Sequence, residues 1–554
     1  MNNTFRMLTT AAFCLLLASA ALAEEYKYGN PKNSPPLKGT TAGCSPSSAF
    51  EWLDVNNVRA RINAGGDMWW DLPGGTGSKY YIPKGGSATS MFSGSLWIGG
   101  LDINNQLKLA AQRYRQVGID YWTGPLTIDG TAATDNTICA QFDRQWKITR
   151  AEVDEFLTNV DPATGAFIPN ESYVIPKSIL EWPAHGDVSK KQSFYLAPFY
   201  DVDGDGEYNP LAGDYPYYDI DNSLCRTKTP TLDESIEGSI YGSVLADQVI
   251  KGDQTIWWVF NDKGNFHTET NGAAIGMEIR AQVFGFATND EVNNMTFYSY
   301  EIINRSTFEL TNTYFSLWVD PDLGYAWDDF TGCDVGRGLG YVYNGKAVDG
   351  SNEPESYGNQ PPAIGVDFFQ GPYMDPDGID NPKYDANGIQ LCDVSINGVN
   401  FGNGIIDDER FGMRRFIYHN NSSGDLGDPQ IASQYYNYLR GRWKQGQAME
   451  YGGNAFPGGP GTVGPVTDFM FPGDTDPCNW GTGGIPPNGG YNTNGFYWTE
   501  ETGNNGSPND PGDRRFMQSA GPFTLKPGAV NYITVGIPWA RAVSGDLNSK
   551  ERVC

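Results

Sequence analysis

Positive charge is scarce in this sequence: Lys and Arg number 38 against 66 Asp and Glu, for a formal net charge of −28 at pH 7. Nucleic-acid binding depends on clusters of Lys and Arg that contact phosphates, so this composition argues against DNA or RNA partners. Beyond residue 22 no apolar run approaches the roughly 20 residues that span a bilayer. We therefore expect no transmembrane segment after that point.

Signatures of catalysis are also missing. Of the three histidines, His185, His267 and His419, none lies beside a Gly-x-Ser-x-Gly nucleophile motif, and residues 267–269 are not a zinc signature. No Cys-x-x-Cys occurs, which leaves zinc, haem attachment and thioredoxin-like chemistry without support. Residues 459–464 match Gly-x-Gly-x-x-Gly but lie in a Gly/Pro-rich loop, whereas nucleotide binding requires a preceding strand and a following helix. The sequence predicts a protein that is not an enzyme.

The amino terminus is typical of a secretion signal. Arg6 precedes an apolar stretch over residues 7–22, and small residues at 21–23 suit cleavage. We expect the mature protein to be secreted or held at the outer cell surface, where disulfides form. Cysteines outside the signal are Cys44, Cys139, Cys225, Cys333, Cys392, Cys478 and Cys554. Their odd number leaves at least one thiol unpaired, and a cysteine at the last position suggests that a longer protein continues beyond it.

The composition favours β-sheets joined by long turns. The chain has 68 Gly and 35 Pro together with 31 Tyr, 28 Phe and 15 Trp, and disordered chains are poor in aromatics. Apolar residues alternate with polar ones over 275–283, which predicts a half-buried strand. Further strands are expected over 295–303, 314–319 and 530–535, all in one sandwich, with the last strand returning across a long insertion. Helical signals are few, the best being a capping box at Thr149 and Glu152.

These patterns define the expected fold class and its division. The fold should be mainly β, with β-sandwich domain(s), long Gly/Pro/Asp-rich loops and one or two short helices. The length of 554 residues predicts roughly two to four domains. The expected order is a signal over 1–23, a linker over 24–48, an N-terminal β-rich domain over 49–200, a calcium loop and connector over 201–250, and a β-sandwich domain with long acidic insertions over 251–554.

The most specific motif is DVDGDGEYN at residues 201–209. Ca²⁺ takes about six to eight oxygen ligands, and an EF-hand-type loop supplies them at alternate positions with glycine at the sixth. The matching positions hold Asp201, Asp203, Asp205, Glu207 through its carbonyl, and Asn209. Ala212 replaces the usual bidentate Glu, and Asp214 could close the shell. Prolines at 210 and 216 disfavour a following helix, so we predict a Ca²⁺ loop inside a β-protein; the alternative is a solvated acidic turn.

Two later acidic segments resemble calcium turns less closely. One contains Asp320, Asp322, Asp328 and Asp329, and the other contains Asp375, Asp377 and Asp380. Such crowded carboxylates repel one another unless a cation or an arginine lies between them. Each segment is a further candidate metal site, with a solvated acidic turn as the alternative.

Two other functions stay open at this point. Paired carboxylates hydrolyse glycosides when they lie a defined distance apart, so an acidic loop could belong to a carbohydrate-active hydrolase. The tryptophan pairs at 69–70 and 257–258 could stack against sugars in a polysaccharide-binding module, although burial of at least one tryptophan of each pair is expected in a sandwich.

Several longer strings are spread along most of the mature chain: residues 96–100 (LWIGG), 182–186 (WPAHG), 201–216, 251–254 (KGDQ), 318–334 and 514–528 (RRFMQSAGPFTLKPG). They resemble strings in large, uncharacterised exported proteins of Bacteroidetes-type bacteria, commonly sent out by type IX secretion. The resemblance implies an extracellular or surface address and supplies no catalytic residues. Members usually carry a C-terminal sorting domain, which is not recognisable here and would lie beyond residue 554 if the protein is longer.

Taken with the motifs, the sequence predicts a secreted or cell-surface, Ca²⁺-binding protein of structural or adhesive type. Cell-surface components or a polysaccharide are the expected partners.

Overall fold

The computed structural model describes residues 42–71, 77–217, 250–392, 398–487, 497–503 and 506–542. The expected secretion signal over 1–23, most of the linker over 24–48, Cys225 and Cys554 lie outside these residues. Among the described residues, no helix is both long and apolar enough to cross a membrane.

The described chain is mainly β and contains these strands in order: β1 (Phe50–Leu53), β2 (Arg59–Asn63), β3 (Asp67–Met68), β4 (Tyr80–Tyr81), β5 (Ser93–Leu101), β6 (Leu107–Ala110), β7 (Trp122–Thr123), β8 (Trp146–Thr149), β9 (Phe199–Tyr200), β10 (Tyr215–Pro216), β11 (Gln254–Asn261), β12 (Met277–Gly285), β13 (Thr296–Asn304), β14 (Leu310–Asp320), β15 (Asp329–Asp334), β16 (Leu339–Asn344), β17 (Val348–Asp349), β18 (Gly358–Asn359), β19 (Ala363–Gln370), β20 (Gly398–Val399), β21 (Arg410–Phe411), β22 (Arg415–Asn420), β23 (Met449–Gly452), β24 (Thr462–Thr467), β25 (Arg514–Leu525), β26 (Val530–Ile537) and β27 (Trp539–Ala540).

Two large antiparallel sheets form the sandwich. Sheet 1 has the order β1-β2-β3-β5-β14-β25-β22, with β4 on β2 and β6 on β5. Sheet 2 has the order β15-β16-β19-β26-β13-β12-β11-β7, with β27 on β19 and β8 on β11. The remaining described strands form two-stranded pairs: β9 with β10, β17 with β18, β20 with β21, and β23 with β24.

The core lies between the two sheets and joins them through apolar and polar contacts. Tyr300 of sheet 2 packs against Phe315 of sheet 1 with ring centroids 6.3 Å apart. The indole Nε1 of Trp69 donates a hydrogen bond of 2.8 Å to the Tyr298 hydroxyl. The predicted final strand does return across the long insertion, because β26 pairs with β13 from Thr296↔Ile537 to Ile303↔Val530. The prediction of one sandwich containing the four strands is confirmed, with β14 crossing to the opposite sheet.

Strand β12 differs from the expected half-buried strand, since all nine of its residues are buried. Its apolar side faces the core, and its polar side is covered by chain from residues 122–217. Arg280 Nη1 donates to the Leu196 carbonyl at 3.4 Å, and a Glu278 carboxylate oxygen accepts the backbone N–H of Leu126 at 2.9 Å. The polar alternation was correct, but the polar residues pair with each other and with this covering layer rather than with water.

The described residues contain four short α-helices, where one or two were expected: α1 (Asn136–Gln141), α2 (Arg150–Leu157), α3 (Lys177–Leu180) and α4 (Ala432–Leu439). The capping box before α2 is confirmed: Thr149 Oγ1 accepts the Glu152 backbone N–H, and the Glu152 carboxylate accepts that of Thr149. Helices α1 and α3 are too short to show a helical period, and α4 follows Ile431, which provides no side-chain cap. None of these three helices begins with a capping box like that of α2, although Asp135 caps α1 and buried residues recur at helical spacing in α4.

The sheets combine strands from both sides of the connector over 201–250. Strand β5 pairs with β14 from Thr311↔Leu101 to Asp320↔Ser93, and β8 pairs with β11 from Gln254↔Thr149 to Trp257↔Trp146. The boundary expected between the N-terminal β-rich domain and the sandwich thus falls within shared sheets. Two disulfides, Cys44–Cys139 and Cys392–Cys478, close long loops, and the buried Cys333 thiol donates to the Met470 carbonyl.

Candidate functional site

The 201–214 loop is a hairpin connection between two short strands. Strand β9 leads into it and β10 leaves it, with Tyr215 opposite Tyr200 and Pro216 opposite Phe199. Residues Tyr200, Val202 and Tyr208 pack against a hydrophobic cluster beneath the loop. The loop therefore lies within β-structure, as the flanking prolines indicated, and its two ends are fixed against each other.

Asp201, Asp203 and Asp205, the loop triad, lie together at the tip. A carboxylate oxygen from each residue lies within 4.8 Å of one from each of the others. Asp201 is 5 % exposed, and its two oxygens accept the backbone N–H groups of Gly204 at 2.7 Å and Gly206 at 2.8 Å. Gly206 has φ +83°, a left-handed conformation that favours glycine. These residues wrap the backbone around their own carboxylates in the way the motif predicts.

The other predicted loop ligands are placed less directly. Asp214 is fully buried, and its two oxygens accept the backbone N–H groups of Val202 and Asn209, each at 2.8 Å. Burial, with the nearby Asp201 and Asp203, raises the pKa of Asp214 to about 6. The Asn209 side-chain oxygen accepts Leu211 N–H at 3.1 Å, and the Glu207 carboxylate is 65 % exposed. Asp214 ties the two ends of the loop together.

His185 also positions this loop. Its Nε2 accepts the Tyr208 backbone N–H at 2.8 Å, while Nδ1 lies 3.2 Å from the Phe194 carbonyl oxygen, which can only accept. These partners require the neutral ring with its proton on Nδ1. Burial lowers the pKa of His185 and favours that neutral form.

A second group of carboxylates is formed by Asp320, Asp322 and Asp513, the Asp513 triad, with one oxygen of each within 4.8 Å of the others. Asp320 ends β14, and Asp513 directly precedes β25. Since these strands pair antiparallel, with Val319 opposite Phe516, the end of one lies beside the start of the other. Asp513 was missed in the sequence because only this long-range pairing brings it to Asp320.

The three carboxylates of this triad differ in their hydrogen bonds and ion pairs. Asp320 Oδ2 accepts the Tyr114 hydroxyl at 2.5 Å and lies 3.3 Å from Arg515 Nη2, whereas Oδ1 is buried and has no hydrogen-bond partner among the described residues. Asp513 Oδ1 accepts Arg515 Nη1 at 2.8 Å. Burial raises the pKa of Asp320 to about 7 against the opposing effect of Arg515, and burial beside Asp320 raises that of Asp322 well above its ordinary value.

Asp328 and Asp329 bond to the backbone of neighbouring segments. Asp328 Oδ2 accepts Gly350 N–H and Asp329 Oδ2 accepts Leu323 N–H, each at 3.1 Å. Each residue is 1 % exposed, and its Oδ1 lacks a hydrogen-bond partner in the part of the chain that the structure describes. The two carboxylates organise the turn that follows β14 and lie outside the Asp513 triad.

Asp375, Asp377 and Asp380 are directed to three different backbone sites. Asp375 accepts Thr524 N–H at 2.6 Å, and Asp377 accepts Ile379 N–H at 2.9 Å. The two oxygens of Asp380 accept the N–H groups of residues 402 and 404, each at 2.8 Å. These three aspartates do not form a triad like the other two in the described structure.

His267 is a buried imidazolium. Its Nδ1 lies 2.9 Å from the Leu109 carbonyl oxygen and its Nε2 lies 2.7 Å from that of Asp262, so both nitrogens must donate. The carboxylates of Asp120 and Asp262 lie 3.4 Å and 3.8 Å from these nitrogens. Burial opposes the charge, but these carboxylates outweigh it and raise the pKa of His267.

We therefore expect an alkaline loss of stability that depends on His267. A group with a raised folded-state pKa stabilises the fold fully below its unfolded value of about 6.5 and loses this contribution as pH rises through the folded value. Melting temperatures measured from pH 6 to 9 should fall in the wild type, and the fall should be smaller in His267→Gln. Parallel curves for the two proteins would contradict the assignment.

Both tryptophan pairs are buried. Trp69, Trp70, Trp257 and Trp258 are each no more than 3 % exposed. They contribute to packing between layers, as expected for at least one member of each pair, and present no surface on which a sugar ring could stack.

Comparisons with protein-family models, with curated proteins and with solved structures found no match to this chain.

Proposed function

We propose that this is an exported protein of structural or adhesive type, with no catalytic activity, whose β-sandwich is stabilised by Ca²⁺ bound at the 201–214 loop. The loop triad is the observation that carries the proposal. Its donors are carboxylate oxygens, and such hard oxygen ligands suit Ca²⁺. The carboxylates of the loop triad therefore match the ligand preference of Ca²⁺.

A bound ion would act through the contacts of the loop. Three carboxylates crowd the tip, and the sides of the loop pack on the cluster that contains Phe199 and Tyr215. A cation that neutralises these carboxylates would remove the electrostatic repulsion that opposes this packing. The ion would thereby hold the connection between β9 and β10 on the covering layer of the sandwich.

Two further observations support a structural protein outside the cell. Two disulfides join segments 95 and 86 residues apart, and such bonds persist in oxidising compartments. Asp320 and Asp328, which belong to one of the acidic loops considered for glycoside hydrolysis, are each 1 % exposed and therefore poorly placed to meet a polysaccharide. Cell-surface components or a polysaccharide remain the proposed partners, bound through a surface other than the tryptophan pairs.

Calcium should raise the melting temperature of the wild-type chain. A ligand bound only to the native state adds about 2.7 kcal/mol at a hundredfold excess over Kd. We expect this gain to disappear in EDTA and to be smaller in Asp203→Asn/Asp205→Asn, which keeps side-chain size and removes charge. The measurement is thermal unfolding followed by circular dichroism, with bound calcium counted by atomic emission.

The matched control is Asp154→Asn/Asp425→Asn, which removes two exposed carboxylates outside both triads. It should respond to calcium as the wild type does. Superimposed melting curves with calcium and with EDTA, together with no bound calcium at the loop, would refute the proposal. Reproducible hydrolysis of a polysaccharide, lost in Asp322→Asn, would instead favour the hydrolase alternative.

A further inference from the structure

The Asp513 triad is built by parts of the chain that are far apart in sequence. Asp320 is the last residue of β14, Asp322 follows it by two positions, and Asp513 directly precedes β25. Asp320 is 1 % and Asp513 8 % exposed, whereas Asp322 is only partly buried. The arrangement is a buried pair of carboxylates with a third at its solvent side, through which an ion and its water could enter.

One oxygen of this triad lacks the partner that burial requires. Asp320 Oδ2 contacts Tyr114 and Arg515, whereas Oδ1 is shielded from solvent and meets no N–H or hydroxyl donor among the described residues; the Asp322 carboxyl interacts with that of Asp320. Buried polar atoms nearly always have a partner. The atom belongs to one of the three carboxylates that lie within 4.8 Å of one another, so a cation among them would provide what it lacks.

The negative charges of the site are also not fully balanced by neighbouring basic residues. When all three carboxylates are ionised they carry three negative charges, and Arg515 contacts two of them. Neighbouring basic groups are already paired with other acids: Arg514 with Glu500, and Arg113 with Glu269 and Asp428. His419 lies 3.2 Å from Asp428. Two negative charges therefore remain in the triad, which matches one divalent ion.

We propose that Asp320, Asp322 and Asp513 form a second divalent-cation site, which joins the end of β14 to the start of β25. All three ligand groups are carboxylates, a donor set that suits hard ions such as Ca²⁺ and Mg²⁺ better than soft transition metals. The inference rests on the proposed function only for the choice of Ca²⁺ as the ion. A proton shared between Asp320 and Asp322 is the alternative means of reducing their repulsion.

The test counts calcium ions bound per full-length chain by equilibrium dialysis and atomic emission at pH 8, after chelator treatment. The principal variant is Asp322→Asn, because this partly exposed residue bonds to no backbone group in the described structure. The matched control is Asp510→Asn, which removes an exposed charge three residues before Asp513. We expect Asp322→Asn to bind one calcium fewer than the wild type, and Asp510→Asn to bind the same number.

Asp513→Asn is the second variant, used if Asp322→Asn lacks a native near-ultraviolet circular dichroism spectrum, and it should also lose one ion. Asp203→Asn/Asp205→Asn separates the two proposals. If that loop variant keeps the wild-type count while Asp322→Asn loses one ion, the proposed loop site is wrong and the second site stands. If folded Asp322→Asn and Asp513→Asn both bind as much calcium as the wild type, the second site is refuted and the shared proton is favoured.

Discussion

The Glu278→Gln variant is expected to lose about 3–5 kcal/mol of unfolding free energy, the usual cost of removing one partner from a buried ion pair. Glu278 is fully buried on the polar side of β12. One of its oxygens lies 3.0 Å from both Arg280 Nε and Arg305 Nη2. Arg280 also has Glu301 at 3.4 Å, but Arg305 would lose the carboxylate that it contacts in the described chain. Urea denaturation at pH 7 measures the difference.

The pH dependence gives this prediction a second readout. Burial would raise the pKa of Glu278, but Arg305 and Arg280 hold it at about 2, below its ordinary value of 4.5. A lowered folded-state pKa gives stability that is present above the unfolded value and is lost as pH falls through the folded one. The difference in unfolding free energy between the wild type and Glu278→Gln should therefore shrink as the pH falls from about 4.5 to 2. The exposed Glu291→Gln is the control and should track the wild type; a Glu278→Gln protein as stable as that control would contradict the buried network.

The Ile279→Asp variant is expected not to fold. Ile279 has no exposed surface and lies in the main core, opposite Phe260 of β11 and Ile302 of β13. Burying an unpartnered carboxyl group there and losing the packing of the Ile279 side chain together cost a large part of the roughly 5–15 kcal/mol that stabilises a typical native protein. Far-ultraviolet circular dichroism and size-exclusion chromatography should show an unfolded or aggregated chain.

The conservative control at the same position is Ile279→Val, which should cost only about 0.5–1.5 kcal/mol and keep the native spectrum. A folded, monomeric Ile279→Asp protein would show that this side chain lies outside the core and would undermine the sandwich itself.

The loop triad could be anticipated from the sequence because its ligands are neighbours. Gly206 follows Asp201 by five positions, and the turn that joins them is fixed by local hydrogen bonds and by the positive φ of two glycines. Such a structure needs little help from the remainder of the fold. The same holds for the capping box at Thr149. The return of β26 to pair with β13 is instead a long-range contact, predicted because the apolar face of β12 needs partners to cover it.

The composition and local patterns of this chain determined its β class, its acidic character and the position of the loop triad, since each depends on residues close together in sequence. The tertiary structure determined which distant segments of the chain pack against one another. It buried the polar side of β12 under the covering layer, placed both tryptophan pairs inside, and brought Asp513 to Asp320 across nearly 200 residues. The physical reason is that strand pairing and layer packing are set by the whole core, so a short pattern cannot specify which distant segment will cover it.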